Sequence, residues 1–201
     1  MSRVETVSLG RLVIASGNPG KLRELRRLMR GTGLSIRGLQ AKELRDLPPE
    51  HGPSYRANAR AKALAAAAAS HLPALGDDSG LEVRGLDGRP GLRSARWRPT
   101  AQARNAALLR ALARSGGSRR ARFVCAVCLA LPGGRSWTRQ ASCAGRIAPA
   151  ARGRRGFGYD PVFLIDGGGG RTVAELGPAV KDRLGHRGRA VRKLIPKLLS
   201  L

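Results

Sequence analysis

Aromatic residues make up only 3% of this 201-residue chain. That scarcity leaves few platforms on which the bases of a single-stranded nucleic acid could stack. Cysteine is scarce too: Cys125, Cys128 and Cys143 are an odd number. The opening segment MSRVETVSLG carries charges but lacks the apolar core of a signal peptide. A disulfide framework is therefore not expected. Long apolar runs are also missing, since the Ala stretch around Ala65–Ala69 is too short and too weakly hydrophobic to span a bilayer. These absences lead to the expectation of a soluble cytoplasmic protein with no membrane partner.

Acidic residues are few, 13 against 38 lysines and arginines, for a formal net charge of +25. A nucleic-acid-binding protein without catalytic activity would use such an excess to neutralise phosphates and release counterions. Here the charge is nearly all arginine, scattered along the chain beside abundant Ala and Gly, with no long basic block. Compositional bias accounts for that distribution, and no specific nucleic-acid partner is expected. The positive field would still attract a small polyanion.

What is present is enough to fold. Apolar residues reach 42%, ordinary for a globular chain of this length. A single domain over residues 1–201 is expected, or two closely joined lobes, with residues 1–10 as a short N-terminal extension. Arg11–Ser16 is a short apolar run ending in the turn-prone GNPG, and Leu22, Leu25, Leu28 and Met29 follow at helical spacing. LSIRGL offers a second strand, and a loop rich in proline and acid covers Glu43–Pro53. Ser54 caps a helix running through YRANARAKALAAAAAS. PALGDDSGLEV reads as a strand, a polar turn and another strand. Thr100 opens a helix closed by Gly116 and Gly117. RARFVCAVCLAL and RSWTRQASCAG form a hairpin turning at Pro132–Gly134, in which Cys125 and Cys128 are core thiols rather than metal ligands. ARGRRGFGYD is irregular, PVFLID is a strand, GGGG is a flexible loop, and a terminal helix runs from about His186 to Leu199. Strands interleaved with helices predict an α/β fold with a mixed sheet.

Four segments carry groups suited to chemistry. Ser16–Lys21 lies where a strand ends and a helix starts, where free N–H groups and the helix dipole favour an anion. The alternative there is an ordinary tight turn. Ser54, Asn58 and Lys62 line one helix face with Glu50 just before it, a set that could hold metal and phosphate oxygens or simply face solvent. Asp77–Gly80 sets two adjacent carboxylates among apolar residues, which is costly unless a positive group offsets them. Magnesium would do so, and a carboxylate there could serve as general base. An Asx-type turn is the competing reading. Gly156–Pro161 puts Phe157 and Tyr159 in a glycine-rich loop suited to close approach by a flat ligand, and Lys181 and Gly185–Arg189 add donors near a helix start.

These segments occur in a recognisable order. S-G-N-P-G-K, G-P-S-Y-x-x-N-A-x-x-K-A, D-D-S-G-L-E-V-x-x-L-x-G-x-P-G, G-F-G-Y-D-P-V-F, A-E-L and K-D-x-x-G-H-R-G-R-A together resemble the inosine/xanthosine triphosphate pyrophosphatase family, from about Leu12 to Leu194. The resemblance implies hydrolysis of ITP, dITP and XTP to a monophosphate and pyrophosphate. It also implies a homodimer and an elongated mixed sheet flanked by helices, in two lobes with a nucleotide cleft between them. Carried over by motif, Ser16, Gly17, Asn18, Pro19, Gly20, Lys21 and Lys62 would contact the triphosphate. Asp78 would be general base and ligand of Mg2+, with Glu50 as second metal ligand and Ser79 touching substrate. Phe157 would stack on the purine, with Gly158, Tyr159 and Asp160 in the same loop and Lys181, His186 and Arg187 completing the base pocket. Ser16 stands for the family's usual Thr, Gly185 for Ser, Ala144 for an acidic residue and Asp182 for Asn. A related pyrophosphatase of the septum-inhibitor type is a second enzyme reading. Its opening motif ends in S-x-R-R, where this chain has N-P-G-K.

Overall fold

The computed structural model describes residues 10–201. The expected N-terminal extension falls almost entirely outside these residues. Twelve regular elements follow one another: β1 (Arg11–Ala15), α1 (Pro19–Leu28), β2 (Ser35–Gly38), α2 (Ala41–Arg45), α3 (Tyr55–Ser70), β3 (Ala74–Val83), α4 (Ala101–Ser115), β4 (Arg120–Ala130), β5 (Ser136–Ile147), β6 (Phe163–Ile165), α5 (Pro178–Leu184) and α6 (His186–Leu199). The strands form one six-stranded sheet in the order β2-β1-β3-β4-β5-β6. Its β1 runs parallel to β2 and β3, while β6 is antiparallel to β5. This is the expected α/β architecture with a mixed sheet and flanking helices. Among the described residues, no helix is long and apolar enough to cross a membrane.

The chain divides into two compact units. Of the described residues, the first holds those up to Asp77, Val127–Arg139 and Val191–Leu201. Leu12, Val13 and Ile14 of β1 are fully buried, and α3 turns its Ala59, Ala63, Ala66 and Ala67 inward. Alanine is required on that face because helix and strand approach closely at Gly76. A Cβ on Gly76 would lie 2.1 Å from the Ala59 carbonyl oxygen. Two helix starts have side-chain caps: Ser54 Oγ accepts from Ala57 N–H, as its sequence predicts, and Asn18 Oδ1 accepts from Gly20 and Lys21 N–H. The Glu43–Pro53 segment is less irregular than expected, because α2 occupies its beginning. Arg37 of β2 grips Glu43 with two 2.7 Å hydrogen bonds, and Gln40 N–H adds a third at 2.6 Å. The Arg37 bonds hold the Glu43 carboxyl down at about 2, although burial pushes the other way. The pair therefore keeps its charge well into the acid range and fastens α2 to β2.

The second unit comprises Asp78–Ala126 and Gln140–Ala190. Its core gathers Leu81 and Val83 of β3, Leu108 and Leu112 of α4, Phe123 of β4, Cys143 and Ile147 of β5, and Phe163 and Ile165 of β6. Thr100 caps α4 through Ala103 N–H, and Gly116 ends that helix with a left-handed residue. The turn between β4 and β5, which belongs to the first unit, closes through Leu131 N–H to Arg135 O and Gly134 N–H to Leu131 O, both 2.9 Å. Cys125 and Cys128 are fully buried in β4, as core thiols should be. Two expectations need correction. PALGDDSGLEV is one continuous strand, β3, with no polar turn inside it. The stretch before His186 also contains a helix, α5, too short for its periodicity to register.

Candidate active site

In the first unit, the parallel pairing of β1 and β3 sets Ala15 beside Gly76. Both strands run on from that point into polar residues, Ser16 after β1 and Asp77 within β3. The carboxyl ends of parallel strands are where α/β sheets bind ligands. Lys21, in the first turn of α1, reaches back to Asp77 with Nζ 2.6 Å from Oδ1. Lys62 comes to the same place from α3, donating to the Asp77 carbonyl oxygen and to the Glu50 carboxylate. Asp77 and Lys62 are both buried. Two ammonium groups thus converge on one strand residue, and they answer the electrostatic question posed by the Asp-Asp pair. Because Lys21 offsets the Asp77 charge, that residue can lie inside a strand instead of a turn.

The first unit adds two details to the expected phosphate site. Gly20 and Lys21 N–H groups are already bonded to Asn18 Oδ1, at 2.9 and 3.2 Å. Ser16 Oγ accepts from Asn18 N–H at 3.2 Å. Gly17, Asn18 and Pro19 are exposed, so the loop is accessible, but its helix-start donors are capped by the chain itself. Likewise Asn58 Oδ1 is bonded to Gly52 N–H at 2.8 Å. It shapes the segment after Glu50 rather than extending the Lys62 face towards solvent.

In the second unit, Asp78 is buried and its Oδ1 accepts from Ser79 N–H at 3.0 Å. Ser79 Oγ accepts from Arg187 Nη2 at 3.0 Å. That bond joins the residue after Asp78 to the start of α6. Arg187 also lies over the Phe157 ring, 5.8 Å from its centroid, and Lys181 Nζ lies 4.5 Å from the same centroid. An aromatic face held beside two cations suits a flat, electron-rich base with oxo substituents.

The Phe157 loop is built from within. Asp160 Oδ2 accepts from Phe157 N–H at 2.8 Å and from Lys181 Nζ at 2.5 Å. Gly156 has φ +80°, and any Cβ there would strike the Asp160 carboxylate. Tyr159 is buried and its hydroxyl donates to Ser94 O at 3.0 Å. Asn105 of α4 donates to Gly158 O at 3.1 Å. The side chains of Tyr159 and Asp160 therefore help to hold the loop. Gly185 is tight as well: a Cβ there would lie 2.5 Å from the Lys181 carbonyl oxygen. His186 is buried, stacked on Phe123 with ring centroids 4.6 Å apart.

Sequence reasoning missed Asp77 as the partner of Lys21, Asn105 and Ser94 as supports of the loop, and Phe123 beneath His186. Only the first had a visible signal, its adjacency to Asp78. Among the described residues, no three His, Cys, Asp or Glu side chains form a ready-made metal cage.

Comparison with known proteins bears on the family and the fold. The family model described as "Ham1 family" matches residues 12–197. A dITP/XTP pyrophosphatase of Nocardia farcinica is 45% identical over 204 residues, covering 97% of this chain and 98% of that protein. Among solved structures, a HAM1 protein from Coxiella burnetii is 35% identical, with a TM-score of 0.80 over 95% of this chain and 99% of that one. A nucleoside-triphosphatase, dITP/XTP pyrophosphatase, from Mycobacterium abscessus is 38% identical, with a TM-score of 0.68 over 94% and 99%.

Proposed function

The chain belongs to the Ham1 family, and from that premise we propose that it hydrolyses dITP, ITP and XTP to the nucleoside monophosphate and pyrophosphate. The observation that carries this reading is the convergence of Lys21 and Lys62 on Asp77, the residue immediately before Asp78. Two ammonium groups at a strand end are a natural partner for a triphosphate, and a carboxylate one residue away is a natural base for water.

The chemistry follows in order. Lys21 and Lys62 exchange their carboxylate and carbonyl partners for phosphate oxygens when substrate binds. Asp78 accepts a proton from water as the water oxygen bonds to the α-phosphorus. The bond between the α-phosphorus and the bridging oxygen breaks, and pyrophosphate leaves with the electron pair, its charge balanced by the two lysines. Phe157 stacks on the purine, while Lys181, His186 and Arg187 offer donors to its oxo groups. A donor facing position 6 accepts hypoxanthine or xanthine and leaves adenine's amino group unpaired.

The donor set also fits magnesium. This ion takes hard oxygen ligands and is commonly held by one or two carboxylates together with substrate phosphates, so it needs no complete protein cage. Asp78 and Glu50 are the residues that would hold it, and bound there it would neutralise phosphate charge and acidify the attacking water. We further assign the chain to one functional domain over residues 1–201, to a homodimer, and to the cytoplasmic nucleotide pool.

Pyrophosphate release from ITP, XTP, dITP, GTP and ATP, with magnesium and after chelation, tests the reading. Turnover of ITP, dITP and XTP should exceed that of ATP by on the order of a hundredfold, and chelation should abolish it. Equal rates for ITP and ATP would reject the base pocket. Undiminished rates after chelation would reject the metal.

A further inference from the structure

Selectivity by a histidine requires that one ring nitrogen present a hydrogen and the other a lone pair, in a fixed assignment. In this chain the residue placed to make that assignment is Cys143. It lies on β5, 2% exposed, with Sγ 3.8 Å from His186 Nδ1. The imidazole cannot rotate away easily, because it is buried and stacked nearly parallel to Phe123 at an interplanar angle of 15°. The geometry points to Cys143 as the positioning residue that donates its S–H to Nδ1 and so keeps the His186 proton on Nε2.

Two features decide the direction of the bond. Burial pushes the Cys143 thiol up to about 11, so it carries its hydrogen at neutral pH. Nδ1 is the ring nitrogen within hydrogen-bonding reach of that sulfur. The hydrogen of the thiol is then left for the ring nitrogen. A neutral imidazole with hydrogen on Nε2 is a donor, suited to a 6-oxo purine and mismatched to a 6-amino one. The opposite tautomer would invert that preference.

This inference rests on the base-pocket reading for its consequence, but its physical content can be tested apart from activity. The chain has three histidines, so 15N-histidine labelling, with His51→Gln and His71→Gln for assignment, isolates the His186 ring. Long-range 1H–15N spectra of the wild type should show hydrogen on Nε2. Cys143→Ala should give mixed tautomers, raise KM for ITP and lower the ITP-to-ATP ratio of kcat/KM by roughly tenfold. Cys143→Ser, which restores a donor, should recover both the tautomer and the ratio. Hydrogen on Nδ1 in the wild type would overturn the proposal, as would a Cys143→Ala variant with tautomer and ratio unchanged. A wild type that carries hydrogen on Nε2 yet does not hydrolyse ITP would reject the base pocket and leave the Cys143 assignment standing.

Discussion

Asp78→Asn should lower kcat for ITP by roughly 10³-fold while changing KM by less than a few-fold. Asparagine keeps the size of the side chain and can still accept from Ser79 N–H through its amide oxygen, so the strand should be undisturbed. What it loses is the ability to take a proton from water and the charge that would hold magnesium. Asp77→Asn is the informative comparison. It weakens the 2.6 Å ion pair with Lys21 but removes no proposed base, so its main effect should fall on KM. Steady-state kinetics on both variants separate the roles. If Asp77→Asn suffers the larger loss of kcat and Asp78→Asn remains active, the two carboxylates have been assigned in the wrong order.

Gly76→Ala should destabilise the protein by about 3 kcal/mol, because a well-packed contact with no room for a methyl group must open. The added carbon would lie 2.1 Å from the Ala59 carbonyl oxygen and 2.9 Å from the Ala63 nitrogen, both backbone atoms of α3 that cannot rotate aside. For a chain of this length that corresponds to a fall in Tm of about 10 °C. The same displacement would move Lys62, the neighbour of Ala63, away from the Asp77 carbonyl, so phosphate binding should weaken along with stability. Gly133→Ala is the control, since nothing lies within 4 Å of a Cβ there. Differential scanning calorimetry on both variants decides the matter. An unchanged Tm for Gly76→Ala would show that α3 does not pack on β3 as closely as described.

Much of the fold was legible because its signals are local. Ser54 and Thr100 are capping residues in front of helical spacing, and each caps the helix that follows it. The apolar run of β1 and the Pro-Gly turn before β5 are equally self-contained. The misreadings share a cause: the deciding partner lies far along the chain. Two adjacent aspartates look like a turn until Lys21 arrives from a separate helix to pair with Asp77. The α2 and α5 helices are too short to show a period, and α2 is held by Arg37 on a different element.

The site divides the same way. Residues of the right type in the right motif could be listed in order, but their partners could not. Asn18 looked like part of a phosphate cradle, and its side chain instead caps the donors of that cradle. Tyr159 and Asp160 looked like ligand contacts, and their polar atoms are used to brace the Phe157 loop. Hydrogen bonds of this kind depend on three-dimensional neighbours, and spacing along the chain does not encode which way they point.

The central claim is that Asp78 directs water at the α-phosphorus of a purine nucleoside triphosphate whose phosphates are gripped by Lys21 and Lys62. Hydrolysis of ITP in H₂18O, followed by 31P NMR or mass spectrometry of the products, tests it most directly. The expected outcome is 18O in the inosine monophosphate and none in the pyrophosphate. Label in the pyrophosphate, or release of orthophosphate as the first product, would place the attack on a different phosphorus and contradict the account.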